Sequence, residues 1–83
     1  MEKNNGKKDF VECSYSASDN LNYIKKIYYE TETERAVKFT NQTSDKYFWI
    51  PKTMIKHGWK KDPQLPQDLK INYYLKLSWY NQE

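Results

Sequence analysis

Ile27-Tyr28-Tyr29-Glu30-Thr31-Glu32-Thr33-Glu34, Arg35-Ala36-Val37-Lys38-Phe39-Thr40 and Lys46-Tyr47-Phe48-Trp49-Ile50 are three successive runs in which side-chain character alternates. A period of two belongs to strands. In the first run Ile27, Tyr29, Thr31 and Thr33 oppose Tyr28, Glu30, Glu32 and Glu34, which predicts one acidic face. In the second, Val37 and Phe39 share a face against Ala36, Lys38 and Thr40. The third is the most aromatic stretch of the chain and is stopped by Pro51, which cannot donate to a ladder. Asn41-Gln42-Thr43-Ser44-Asp45 is a cluster of turn formers between the last two runs. A three-stranded antiparallel meander is therefore expected at the centre of the fold.

Working outward toward the N-terminus, residues 1–9 are polar and predict a flexible lead-in, leaving 10–83 as a single small β domain. Phe10–Tyr15 alternates loosely as a first strand, and Ser16–Asn20 gathers loop formers. Leu21–Ile24 reads either as one helical turn capped by Ser18 or Asp19, or as a strand. On the C-terminal side, Thr53 can cap a helical turn over Met54–Lys56, with Gly58 closing it in a left-handed conformation. The two prolines of 60–68 predict a connecting loop, after which Leu69 and Ile71 alternate with Lys70 and Asn72. Residues 73–80 read at either period: a helix groups Tyr74, Leu77 and Ser78, whereas a strand groups Tyr73, Leu75, Leu77 and Trp79. The strand fits slightly better. The fold expected is mainly β, a small antiparallel meander or partly open SH3-like or OB-like barrel. It carries one short helical turn, with a C-terminal helix as the alternative ending.

Leu, Ile, Val and Phe number only 15 of 83 residues, a share associated with disorder, but eight Tyr and three Trp raise the aromatic content to 17%. Each such ring can remove roughly 150–250 Å² from water, so the core is expected to be built around aromatics. The net charge of +3 and a pI near 8.9 describe a mildly basic chain, compatible with a polyanionic partner. One cysteine, Cys13, allows neither an internal disulfide nor a multi-cysteine metal cage. No apolar run follows the charged N-terminus, so neither a secretory leader nor a membrane span is expected, and the expected setting is the reducing cytoplasm.

The segment Glu32-Thr33-Glu34-Arg35-Ala36-Val37-Lys38-Phe39, a polar turn and then Phe48-Trp49-Ile50-Pro51-Lys52-Thr53-Met54-Ile55 resembles a pattern E-T-x-K/R-A … W-I/L-P-K-S/T-x-I/V. That pattern is found in small proteins of phages and other mobile elements. Thr53 stands where serine is more usual. The resemblance implies a compact β-meander followed by a tight turn and a closing segment that is often helical. It also implies a second kind of role, a protein-binding inhibitor of a host defence complex, as anti-CRISPR proteins are.

Catalysis finds little support. His57 is the only histidine and has no nucleophile near it in sequence, and Cys13 lies between Glu12 and Ser14, which do not lower a thiol pKa. No phosphate-cradling glycine motif is present, and no cofactor is implied. Glu30, Glu32 and Glu34, placed on one side of a strand, read as a solvated face that discourages edge pairing more readily than as a cation site. The richest constellation runs from 46 to 61. Lys46, Lys52, Lys56, Lys60 and Lys61 meet Tyr47, Phe48, Trp49 and Trp59 there without an intervening acid, a local charge of +5. Lysines neutralise phosphates and aromatic rings stack on unpaired bases, the combination used by small single-strand-binding barrels. Phe48 and Ile50 should face inward, leaving Tyr47 and Trp49 on the opposite face for a ligand. The competing reading makes Trp49 and Trp59 scaffold and the lysines merely solvated. The expected function is a non-enzymatic single-stranded nucleic-acid-binding module using Lys46, Lys52, Lys56, Lys60 and Lys61 on phosphates and Tyr47, Trp49 or Trp59 on bases. The alternative partner is a host defence protein complex.

Overall fold

The structure, a computed structural model, describes residues 9–72 and 76–82. Its strands are β1 (Ser14–Ser16), β2 (Leu21–Glu32), β3 (Ala36–Thr40), β4 (Lys46–Pro51), β5 (Ile55–Lys56), β6 (Gln67–Ile71) and β7 (Tyr80–Asn81). Every pairing is antiparallel, in the order β5-β6-β2-β3-β4-β7, with β1 added along β2. The meander β2–β3–β4 is the one expected from the alternating runs. Among the described residues β5 and β7, which end the order, do not pair with each other, so the sheet is open rather than closed into a barrel.

β2 organises the molecule. Asn22 and Tyr23 are paired on both edges at once, with β1 on one side and β6 on the other, while Tyr28–Glu32 pairs with β3. Two irregularities adapt this twelve-residue strand to its neighbours. Between Ile24 and Ile27 the register with β6 shifts by one residue, with Lys26 in a left-handed conformation (φ 60), so both isoleucines are buried although they are three apart. Between Tyr29 and Thr31 the register with β3 shifts again, so that Tyr29 opposes Phe39 and Glu32 opposes Val37. Directly opposed residues share a face, and an inserted residue reverses the alternation beyond it. This overturns the single acidic face. Glu30 lies with Lys38 on the outer side, Glu32 turns to the side of Val37, and Glu34 falls in the turn before β3.

Among the described residues nine apolar side chains are buried: Val11, Ile24, Ile27, Val37, Phe39, Phe48, Ile50, Leu69 and Ile71. The expected aromatic core is thus corrected to an aliphatic one containing two stacked phenylalanines, Phe39 and Phe48, at 5.7 Å between centroids. Tyr29, Trp59 and Trp79 pack against its margin, where tyrosine hydroxyl and indole N–H groups can reach polar partners. A wholly enclosed Tyr or Trp would have to satisfy that polar atom inside the core. Two Phe and seven aliphatics carry no such demand.

The helical readings shift or fail for reasons of pairing. Leu21–Ile24 opens β2 because a hairpin, turned by Asn20 at φ 56, joins it to β1. The turn after Pro51 is a 3-10 helix over Lys52–Met54 without a side-chain cap. Thr53 lies inside that turn, and Ile55 and Lys56 leave it to pair with Ile71 and Lys70. At the C-terminus the amides of 77–79 are spent across the sheet: Val11 N–H donates to the Leu77 carbonyl and Trp79 N–H to that of Asp9, each at 2.8 Å, around a bridge between Phe10 and Ser78. The described residues 76–82 therefore contain no helix, and 73–75 lie outside the described residues. Residues 1–8 of the expected lead-in also lie outside them, and the carbonyl of Asp9 accepts from Trp79 N–H.

Phe39→Ala is expected to cost about 3–5 kcal/mol in urea denaturation, the range for emptying a buried ring site. Lys26→Gly is expected to leave stability unchanged or raise it by up to about 1 kcal/mol, since glycine adopts the left-handed bulge conformation without the Cβ penalty.

Candidate nucleic-acid interface

Along β6 the buried Leu69 and Ile71 flank Lys70, which therefore points to the outer face. Lys70 is directly opposite Lys56 of β5, and like charges so placed repel. After β5 the chain reverses through two consecutive left-handed residues, His57 at φ 70 and Gly58 at φ 75, and returns alongside β6. Gln67 fixes this return. Its amide oxygen accepts from Lys60 N–H at 3.0 Å and its amide nitrogen donates to the Lys60 carbonyl at 2.8 Å. Lys56, Lys60 and Lys70 thereby line one open hollow of about 250 Å³, with Trp59 in its wall. Asp68 also lines it, but its carboxylate accepts from the Lys26 amide at 3.2 Å. Among the described residues none of the three lysines makes an ion pair. The Lys70 ammonium lies 6.0 Å from the centre of the Tyr23 ring.

Behind Trp59 stands Glu32, brought there by the second bulge of β2. One carboxylate oxygen receives Lys52 at 3.0 Å and Lys61 at 3.3 Å, and the other accepts the Trp59 indole N–H at 3.2 Å. The Lys52 hydrogen bond outweighs partial desolvation and, with those from Trp59 and Lys61, holds the Glu32 pKa at about 2. The same carboxylate accepts from the Tyr29 hydroxyl, whose pKa rises through desolvation and the adjacent negative charge. Glu32 thus staples the 58–61 segment to the sheet and neutralises part of the basic segment. The local charge of +5 and the sequence separation of acids from bases do not survive folding.

The expected set divides. Lys56, Trp59 and Lys60 meet at the hollow, and Lys52 and Lys61 adjoin it through Glu32. Lys46, Tyr47 and Trp49 are on β4, separated from β6 by β2 and β3. Lys46 is held by Asp9, whose hydrogen bond raises the lysine pKa. Trp49 is 38% exposed and Tyr47 half-buried, while Phe48 and Ile50 are buried, so β4 presents the faces expected of it. Lys70 and Tyr23 escape a reading confined to 46–61. The alternation around Lys70 marks its outward direction, but its partner Lys56 follows only from the β5–β6 pairing, which local sequence does not specify.

His57 is exposed, and Cys13 is half-buried against the core. Among the described residues no three of His, Cys, Asp and Glu are grouped to hold a metal ion, and no helix is long and apolar enough to cross a membrane. No protein family, curated protein or solved structure matches the chain.

Because the Glu32 pKa is depressed in the folded state from an ordinary 4.5, its contribution is complete above that pH and is lost as pH falls from 4.5 toward 2. Glu32→Gln is expected to be less stable than the parent at pH 7 and to show a shallower loss of stability across that acid window, measured by urea denaturation at a series of pH values.

Proposed function

We propose that the protein is a non-enzymatic module that binds single-stranded nucleic acid in the reducing cytoplasm, with Lys56, Lys60 and Lys70 on phosphates and Trp59 against a base. The observation that carries this reading is the gathering of three lysines, without carboxylate partners among the described residues, around one hollow. Opposing Lys56 to Lys70 works against the stability of the β5–β6 pair, and a bound phosphate relieves that repulsion. Phosphate contacts release counterions and supply affinity irrespective of sequence. Trp59 adds a ring whose N–H is already committed to Glu32, so its remaining contribution is apolar and suits stacking. Stacking on a side chain requires a base that is not enclosed in a duplex, which favours single strands. The affinity expected is non-specific, with Kd in the range of about 10⁻⁴–10⁻⁶ M at physiological salt.

The paired substitution Lys56→Gln with Lys70→Gln separates function from folding. It is expected to weaken binding of an oligothymidylate by roughly tenfold or more, while raising stability by about 0.2–1 kcal/mol as the like-charge contact disappears. Undiminished affinity in fluorescence anisotropy would remove the hollow as the phosphate site.

A further inference from the structure

The opposite end of the strand order carries a second concentration of rings. Tyr47 of β4 is paired with Tyr80 of β7, their ring centroids 5.9 Å apart. Alternation along β4 puts Trp49 on the same outer face as Tyr47. Along the last segment it puts Ser78 with Tyr80, and Ser78 is bridged to Phe10, which therefore shares that face. Phe10, Trp49 and Tyr80 are 44%, 38% and 58% exposed.

Three features identify what this face suits. Of the exposed large apolar side chains among the described residues, Phe10, Tyr15, Trp49 and Tyr80 are aromatic and only Leu65, in the loop before β6, is aliphatic. Exposed rings also serve protein interfaces, so the charge around them decides the partner. Cations accompany the rings, with the Lys38 ammonium 4.4 Å from the Tyr47 centroid and that of Lys76 4.7 Å from the Phe10 centroid. The nearby carboxylates are already compensated, Glu30 by Lys38 and Gln82 and Asp9 by Lys46. Partial burial pulls the Glu30 pKa up, but the bonds from Gln82 and Lys38 prevail and keep it below the ordinary range, so this acid stays ionised and engaged. Among the described residues Lys76 has no carboxylate partner. A polyanion that offers flat π-faces complements such a surface.

We propose that this face is a second single-strand contact, on which Trp49 and Tyr80 stack unpaired bases while Lys76 swings from the Phe10 ring to an adjacent phosphate and Lys38 stays on Glu30. It rests on the single-strand reading of the chain but uses residues separate from the hollow. A strand engaging both would be held at two points by one small domain, giving tighter binding to longer oligonucleotides than either contact alone.

The test is a titration of the full chain, labelled with ¹⁵N at tryptophan, with an oligothymidylate of roughly 16 nucleotides, the upper site size of a small single-strand-binding fold. Indole resonances report Trp49 and Trp59 separately, and Tyr80→Ala, at an exposed position, removes one stacking ring. The expected result is movement of the Trp49 indole and a loss of affinity of roughly fivefold to hundredfold in Tyr80→Ala. If the Trp59 indole moves while Trp49 is still and Tyr80→Ala binds as the parent does, the second contact is overturned and the hollow stands. Movement of Trp49 with Lys56→Gln/Lys70→Gln binding unimpaired supports the aromatic face and removes the hollow. Neither indole moving overturns the second contact together with the reading on which it rests.

Discussion

A strand with unbroken alternation can turn only every second side chain to the same side, yet β2 must bury Ile24 and Ile27 together and turn Tyr29 and Glu32 together. Each pair is three residues apart, and each is made possible by one inserted residue. The left-handed Lys26 lies in the first irregularity and Glu30 in the second. Bulges also increase local twist, which suits a strand paired first with β1 and β6 and then with β3. Without the first, Ile27 would leave the core. Without the second, Glu32 would stay on the side of Glu30, and Trp59, Lys52 and Lys61 would lose their shared acceptor. The loop that places Lys60 at the hollow therefore depends on backbone geometry in a strand two neighbours away from β5.

The distribution of rings follows from the same economy of polar atoms. Among the described residues two phenylalanines and seven aliphatics fill the centre, and their side chains have no polar atom to satisfy. Tyrosines and tryptophans stand at the margin and outer face, where Tyr23 reaches Asp19, Tyr29 and Trp59 reach Glu32, and Tyr15 reaches Asn20. Their abundance serves the surface more than the core. Charge is similarly redistributed: acids distant in sequence arrive at Lys38, Lys46, Lys52 and Lys61, and of the six lysines without an ion pair among the described residues Lys56, Lys60 and Lys70 gather at one hollow.

Much of the architecture is legible in local pattern. The runs that become β3 and β4 alternate cleanly, Asn41–Asp45 has turn chemistry, and Leu69–Lys70–Ile71 shows which way Lys70 points. The bulges are not legible, because an inserted residue leaves no mark in a sequence of polar and aromatic residues that alternates anyway. Glu30, Glu32 and Glu34 are the clearest case: an apparently regular period hides a reversal of face between the first two. Pairing between distant strands is equally silent, which is why Lys46 through Lys61 looks continuous but folds into groups on opposite sides of β2 and β3. For the site, Lys56, Trp59 and Lys60 are recoverable from composition, whereas Lys70 needs the fold.

Lys56, Lys60 and Lys70 are proposed to act together on phosphates. The most direct measurement of this is the association constant for an oligothymidylate over a range of salt concentrations. Three phosphates neutralised on a single strand predict a logarithmic slope near −2, from about −0.7 per contact. A slope indistinguishable from zero, whatever the affinity, would contradict it.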